Sequence, residues 1–255
     1  MSLSRLPRSI DPDPEMLEVL RSAVSADERE TIGVSDLWCS LRSWARRHGH
    51  GGPPTLTEAA QWIDGLAWDE WLRRVLPRGY VVLSRGKSYY TEGLRWSPDA
   101  LLWHPFWGIG PVEFKHTRYS ANKPIEEMDT FLAQLGLYCA LASRLLERPV
   151  TMGWLLLLHS HGDYKGARRP TLAAWRVEWA PDDLDAMLAE AKRRAERIAG
   201  DKQPPPDAAW PWLCRGCREG YAIGCPAWRP KEEETPNGRR KNGSSRAGRT
   251  SQRRS

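Results

Sequence analysis

Three charged side chains on two short apolar segments have the chemistry to hydrolyse a phosphodiester bond. Asp99 precedes the apolar run 100–103, and Glu113 and Lys115 flank Phe114. Side chains two apart on a β-strand leave the same face, so a strand would present Glu113 and Lys115 together and turn Phe114 into apolar packing. Two carboxylates suit Mg²⁺ or Mn²⁺, and an adjacent ammonium group can orient water and offset charge on the phosphate. The pattern predicts Asp99 and Glu113 as metal ligands.

A glutamine and a tyrosine four residues apart could act beside these groups. Gln134 and Tyr138 fall in a helix predicted from about Ile125 to Leu146, and side chains four apart share one helix face. That face could present an amide and a phenol to a DNA strand or to Lys115. The alternative is a tyrosine in the core with a glutamine at its edge, but three neighbouring catalytic candidates favour a functional pair.

Four of the five cysteines have the spacing of ligands for a metal centre. Cys214 and Cys217 form a Cys-x-x-Cys pair, Cys225 follows them, and Cys39 supplies a distant fourth thiol. Structural zinc usually uses two such pairs, whereas a four-iron four-sulfur cluster accepts one distant and three close cysteines. The spacing favours the cluster, with Zn²⁺ as the alternative. Cys139 lies among alanine and leucine in the predicted helix, so we expect a buried thiol there.

The order of the acidic and basic residues is similar to that of a known nuclease signature. Asp99 followed by Glu113-x-Lys115 resembles the PD-(D/E)xK motif. Gln134-x-x-x-Tyr138 resembles the QxxxY motif of the RecB-type branch of these nucleases. The resemblance implies a metal-dependent deoxyribonuclease with a restriction-endonuclease-like fold, in which these five residues form the catalytic site.

The cysteine pattern narrows the resemblance to the iron–sulfur members of this branch, and in particular to the CRISPR-associated exonucleases of the Cas-four family. The similar region extends from Cys39 to Cys225, most of the chain. It implies a cluster that joins the two chain ends, trimming of single-stranded DNA ends as the activity, and integrase proteins of CRISPR spacer acquisition as partners.

One position departs from the family pattern. RecB-type nucleases usually carry a glycine followed by a His-Glu pair on a helix that approaches the metal. Here that helix is predicted from Thr57 to about Val75, and Asp69 stands at the position of the histidine. Asp69 or the following Glu70 could serve as an additional oxygen ligand for the metal. Equally, both could be solvated charges on the helix surface.

The basic balance of the chain comes from its C-terminal end. The formal charge is +6 over 255 residues, but residues 236–255 contain seven basic residues and no acidic one. The remainder is therefore nearly neutral, and net charge alone does not indicate a DNA groove. We expect a disordered tail, which either contacts phosphates without regard to sequence or only keeps the protein in solution.

Other classes of protein are disfavoured by missing motifs. The segment Arg85-Gly86-Lys87-Ser88 is not a phosphate-binding loop, because Val81 stands where the motif needs glycine. The N-terminus lacks the apolar stretch of a secretory signal, and the longest apolar run, 152–158, is too short to span a bilayer. We expect a cytoplasmic protein, in which cysteines are ligands or thiols rather than disulfides.

The periodicity predicts an α/β fold, with a mixed sheet around Asp99 and Glu113 flanked by helices. The segment His104–Gly110 is expected to be the turn between the two strands that bear these carboxylates. Further strands are predicted at Tyr80–Leu83, Val150–Leu158 and Ala173–Trp179, and further helices from Ser35 or Asp36 to Arg47 and from Pro181 to Ala199.

The chain divides into five predicted regions. They are a disordered N-terminus (1–15), a helical region with one cluster cysteine (16–54), the nuclease core (55–200), the iron–sulfur segment (201–230) and a disordered basic tail (231–255).

Two other functions fit the same residues. The departure at Asp69 allows a non-enzymatic DNA-binding or adaptor protein that keeps the fold and the cluster. A zinc-stabilised nuclease of phage or mobile-element recombination or repair would carry the same acidic residues outside any CRISPR system. Lys115→Ala separates the first alternative from an enzyme, and iron content separates the second from an iron–sulfur protein.

Overall fold

A five-stranded mixed β-sheet forms the centre of the molecule. The computed structural model describes residues 31–50, 80–117, 125–159 and 171–230. The strands are Val81–Arg85 (β1), Tyr89–Thr91 (β2), Leu94–Trp96 (β3), Ala100–His104 (β4), Gly108–Thr117 (β5), Met152–His159 (β6) and Thr171–Glu178 (β7). The sheet order is β1-β4-β5-β6-β7, in which β5 and β6 are parallel and the other neighbours are antiparallel. The predicted mixed sheet is confirmed.

Helices cover one face of this sheet, and one of them connects two of its strands. The α-helices in the described part of the chain are Ser40–Arg47 (α1), Asp129–Leu145 (α2), Pro181–Ala199 (α3) and Arg218–Ala222 (α4). Short 3₁₀ helices are formed by Val34–Trp38, Ile125–Glu127 and Pro211–Cys214. Helix α3 has the predicted bounds, because Pro181 favours its first turn and Asp182 and Asp183 complement its N-terminal dipole. No helix among the described residues is long and apolar enough to cross a membrane.

Two predicted helices are interrupted where the backbone turns extended or irregular. The helix expected to continue to Arg47 breaks at Cys39, whose φ of −154° is extended, and α1 begins at Ser40. The Asp207 carboxylate accepts hydrogen bonds from the Ser40 amide and from its hydroxyl, both at 2.6 Å, and so caps the new helix start. The helix expected from Ile125 likewise breaks at Met128, before α2 begins.

The connections around β4 also differ from the prediction. The turn between β4 and β5 is shorter than the expected His104–Gly110, because pairing of the strands already includes His104 opposite Gly108. The β2–β3 hairpin was not predicted. Glu92 and Gly93 form its turn with φ values of 55° and 77°, the left-handed geometry that lets a two-residue turn match the twist of its strands.

Apolar side chains form a separate cluster on each face of the sheet. Helices α2 and α3 cover one face of the sheet, called the helix-covered face below. The cluster on this face contains side chains from the 3₁₀ helix Val34–Trp38, from β3, from α2 and α3, and Leu101 of β4. The opposite face carries Ala100, Leu102, Val112, Phe114, Met152 and Trp154. Phe114 therefore packs on the opposite face, as alternation predicts. The predicted helix Thr57–Val75, with Asp69 and Glu70, lies outside the described residues.

Close packing between α2 and β6 depends on a glycine. A Cβ atom on Gly153 would come within 2.8 Å of Leu135 Cδ1 and within 2.8 Å of the Pro111 carbonyl oxygen. Leu135 is fully buried on α2. The glycine therefore lets α2 approach the sheet closely, one turn before Tyr138.

Replacing Gly153 with alanine should destabilise the fold by about 1–3 kcal/mol, because the added methyl group meets both a helix side chain and backbone. Urea denaturation measures this change as a lower midpoint with an unchanged slope. Gly200→Ala is the control, since its nearest contact would be 3.5 Å away. Equal midpoints for Gly153→Ala and the native protein would contradict this packing.

Candidate active site

The two predicted carboxylates lie side by side on neighbouring strands. Ala100 of β4 pairs with Val112 of β5, so the next residues along the two strands, Asp99 and Glu113, are neighbours. Because Ala100 and Val112 point to the opposite face, alternation directs both carboxylates to the helix-covered face. Asp99 is 6% exposed and Glu113 is 2% exposed. With Lys115, these residues are called the carboxylate site below.

Buried carboxylates need hydrogen bonds or charges that offset the loss of water. The Phe114 amide donates a hydrogen bond of 2.6 Å to Asp99 Oδ2. Lys115 Nζ forms an ion pair with Glu113 Oε1, and its side chain is 23% exposed where that of Glu113 is 3%. Lys115 Nζ also lies 5.7 Å from the centroid of the Phe131 ring on α2. The ammonium group thus stands between the buried carboxylate and the outer part of the site.

Helix α2 brings the glutamine and the tyrosine to the same place. Gln134 Nε2 donates a hydrogen bond of 2.8 Å to the Tyr138 hydroxyl, and Tyr138 is 5% exposed. Burial raises the pKa of Tyr138, and the charges of Glu113 and Asp99 raise it further. The phenol is therefore close enough to feel both carboxylates and remains a neutral hydrogen-bond donor at physiological pH.

The surroundings of Tyr138 include residues that sequence reasoning missed. Trp96 of β3 lies 5.9 Å from Tyr138 between ring centroids, and Tyr89 of β2 stacks on Trp96 at 4.8 Å. The Gly86 amide donates a hydrogen bond of 2.9 Å to the Asp99 carbonyl oxygen. The segment 85–88, which lacks the phosphate-binding motif, therefore lies beside the carboxylate site. The Glu92-Gly93 turn between short aromatic-rich segments was the signal that could have located this hairpin.

The four predicted ligand cysteines come from opposite ends of the described chain and meet at one place. Cys39 follows the first 3₁₀ helix, Cys214 ends the 3₁₀ helix Pro211–Cys214, Cys217 caps α4 and Cys225 follows it. All four line one recess with Arg42 and mainly apolar side chains. This site is called the cysteine recess below. Cys139 is elsewhere, fully buried in the core as predicted.

The chemistry of the recess is that of poorly solvated thiols. Burial raises the pKa values of Cys39, Cys214 and Cys217. The Gly220 amide donates to Cys217 Sγ at 3.2 Å, and this hydrogen bond acts in the opposite direction by lowering the pKa of Cys217. Within the ranges that the structure covers, no group of three or more His, Cys, Asp and Glu side chains is arranged to hold a single metal ion.

Polar contacts join α1 to α4 beside the recess. Glu219 of α4 is 2% exposed, and its carboxylate lies 3.0 Å from Arg46 and 3.4 Å from Arg42, both on α1. Burial alone would raise the pKa of Glu219, but the two guanidinium groups hold it below its ordinary value. Glu219 was not identified from the sequence, because nothing in its spacing distinguishes it from surface acids.

Comparison with known proteins found similar solved structures. The crystal structure designated SSO0001 superposes with a TM-score of 0.47 at 16% identity, covering 84% of this chain and 96% of that one. An alkaline exonuclease from Laribacter hongkongensis superposes with a TM-score of 0.38 at 14% identity, covering 71% of this chain and 92% of that one. No protein-family model matches the chain, and no curated protein sequence is significantly similar to it.

Replacing Glu219 with glutamine should lower the free energy of unfolding by about 1–3 kcal/mol. The loss leaves Arg42, Arg46 and the neighbouring Arg218 without their shared anion, and it stays below the value for a wholly buried pair because all three arginines are partly exposed. Chemical denaturation measures the change.

Glu190→Gln is the matched control for this experiment. Glu190 pairs with Arg193 and Arg194, but its side chain is 40% exposed, so its loss should cost less than about 1 kcal/mol. Equal effects of the two substitutions would show that the contacts of Glu219 do not hold α4 to α1.

Proposed function

We propose that the chain is a metal-dependent nuclease that hydrolyses DNA at the carboxylate site. The observation that supports it is the placement of Asp99 and Glu113 as buried neighbours on one sheet face, with Lys115 paired to Glu113. Burying two adjacent acids is costly, and a bound divalent cation would add to the compensation that Lys115 and the Phe114 amide supply.

The residues present suit Mg²⁺ or Mn²⁺. Magnesium commonly binds to proteins through one or two carboxylates and completes its shell with water and substrate phosphate oxygens. Asp99 and Glu113 supply those two carboxylates. When bound, the ion would supply Lewis-acid stabilisation and a water molecule of lowered pKa. Asp69 or Glu70 remains a proposed additional ligand, outside the described residues.

Lys115 is proposed to act on the attacking water and on the phosphate. Lys115 pairs with the buried Glu113, and its side chain is 23% exposed. An ammonium group carries three donors, so it can contact the carboxylate and a water molecule together. The oxygen of water forms a bond to phosphorus and gives up a proton, the bond from phosphorus to the leaving oxygen breaks, and the leaving oxygen gains one proton, so that the step balances overall. A fixed positive charge lowers the barrier by stabilising the charge that grows on the phosphate.

Gln134 and Tyr138 are proposed to align the substrate strand. Tyr138 accepts a hydrogen bond from Gln134, so the proton of its hydroxyl group is left for donation toward the carboxylate site or the substrate. Its raised pKa keeps that proton in place. The pair therefore acts as a neutral polar contact beside two acids, where another carboxylate would repel DNA.

The finer assignments come from the family resemblance. We propose exonucleolytic trimming of single-stranded DNA ends, in CRISPR spacer acquisition with integrase partners, as the biological setting. Recombination or repair in a phage or mobile element is the alternative setting. Both use the same carboxylate site.

We further propose that Cys39, Cys214, Cys217 and Cys225 hold a four-iron four-sulfur cluster, with Zn²⁺ as the alternative. Support comes from their shared recess, its apolar lining and the Gly220 amide that donates to Cys217. A cubane cluster binds each thiolate through a different iron, so it spaces the sulfurs more widely than a single tetrahedral ion does. When bound, the cluster would join α1 to the segment around α4 and contribute to folding.

Lys115→Ala should lower cleavage of end-labelled single-stranded DNA in Mn²⁺ by at least about 100-fold, because charge stabilisation in the transition state is lost. Binding of the same DNA should change little. Lys192→Ala is the control, since Lys192 pairs with Glu92 on the surface and should leave the rate unchanged.

Two results would contradict the proposed activity. Equal cleavage by native protein and Lys115→Ala would assign it to another site or to a contaminant. DNA binding without cleavage, in native protein with its metal centre intact, would favour the adaptor function.

Cys214→Ala should abolish bound iron and labile sulfide after anaerobic purification and should lower the midpoint of thermal unfolding. Cys139→Ala is the matched control, because Cys139 is a buried thiol outside the recess and should leave iron content unchanged. Zinc without iron in the native protein would support the alternative metal. Equal metal content in both variants would contradict the assignment of the recess.

A further inference from the structure

The turn between β4 and β5 exposes aromatic side chains that the proposed cleavage does not use. Phe106 is 85% exposed and Trp107 is 49% exposed. They belong to a contacting set with Tyr80, His104 and Arg176, called the aromatic platform below. Single exposed aromatic residues are common, but a contacting group at one turn indicates a binding surface.

The platform is held in a fixed arrangement. The Arg176 guanidinium lies 3.3 Å from the centroid of the Trp107 ring, and the His104 ring lies 6.3 Å from Trp107 with planes 24° apart. The Phe106 amide donates to His104 Nδ1 at 3.2 Å, which fixes the turn. Tyr80 contacts His104 with ring centroids 4.8 Å apart. Rings held in place lose little freedom when a ligand stacks on them.

The charge of this surface matches a polyanion. Residues 100–112 contain no acidic side chain, and the platform itself combines flat rings with the cation of Arg176. Unpaired nucleic acid offers the complementary groups, since its bases stack on aromatic rings and its phosphates attract arginine. A purely apolar protein partner would leave the charge of the Arg176 guanidinium unmatched.

The platform is separate from the carboxylate site. His104 lies four residues along β4 from Ala100, roughly 13 Å at the usual rise of a strand. Alternation along β4 places His104 on the opposite face, and Arg176 shares that face because it pairs with Trp154. Contacts at the platform therefore influence binding rather than the hydrolytic step.

We propose that the aromatic platform binds unpaired bases of single-stranded nucleic acid, as a second contact surface outside the carboxylate site. This proposal concerns nucleic-acid binding, so its test does not depend on whether the carboxylate site cleaves DNA. Trp107 and Phe106 provide the stacking surfaces, and Arg176 adds a cation beside a phosphate.

Fluorescence anisotropy with labelled oligodeoxythymidine, in the absence of divalent metal, tests the platform. Trp107→Ala should weaken binding about tenfold, the loss expected for one stacked base. Phe106→Ala should also weaken binding of the oligonucleotide. Trp107→Phe, which keeps an aromatic ring, should bind with nearly native affinity. Trp212→Ala is the control, because Trp212 is an exposed tryptophan of the C-terminal segment at 55% exposure and lies outside the platform.

An abasic strand of equal length separates stacking from charge. This strand keeps the phosphates but lacks bases, so the native protein and Trp107→Ala should bind it with equal affinity. Native affinity of both Trp107→Ala and Phe106→Ala for oligodeoxythymidine would overturn the proposal and leave the platform to a protein partner. Equal losses for the abasic and normal strands would also overturn it, because stacking would not be the interaction lost. Thermal unfolding of each variant verifies that the fold is intact.

Discussion

The structure depends on keeping two carboxylates buried beside each other. Neighbouring negative charges out of water repel strongly, so Asp99 and Glu113 require compensation from fixed groups. The Phe114 amide supplies a hydrogen bond to one, and Lys115 supplies a charge to the other. All these groups belong to β5 or pair with it, so the register of β4 against β5 decides whether the site exists. A shift of one residue would turn Glu113 to the opposite face and place Phe114 among the helices.

Packing around β5 brings a helix residue close to the two carboxylates. Gly153 on the parallel neighbour β6 allows α2 to lie close to the sheet, and α2 then places Tyr138 within the field of both acids. A phenol is suited to that position because it donates a hydrogen bond without adding negative charge. Near both ends of the described chain, Glu219 and its arginines hold α4 against α1 beside the cysteine recess. These protein contacts therefore help to bring the elements of the recess together.

Much of the fold follows from local sequence patterns. The continuous apolar run of β6 predicts a strand buried on both faces, and Pro181 with two following acids predicts the start of α3. Alternation places Glu113 and Lys115 together and Phe114 apart. The helix face shared by Gln134 and Tyr138 also follows from spacing, although the hydrogen bond between them does not.

What the sequence did not reveal depends on distant contacts. The break at Cys39 is stabilised by Asp207, which is 167 residues from Ser40 in the chain. The role of Glu219 requires arginines from the other end of the described chain. The β2–β3 hairpin is short, and its link to the carboxylate site is a tertiary contact between Trp96 and Tyr138, which local sequence does not show.

Mn²⁺ binding measured by electron paramagnetic resonance tests the central claim most directly. The native protein should bind Mn²⁺ at a site that Asp99→Asn and Glu113→Gln each eliminate, while both variants keep the fold as judged by circular dichroism. Binding should be retained in Glu190→Gln, which removes an exposed acid elsewhere. Undiminished Mn²⁺ binding in both Asp99→Asn and Glu113→Gln would contradict the assignment of these buried carboxylates as the metal ligands.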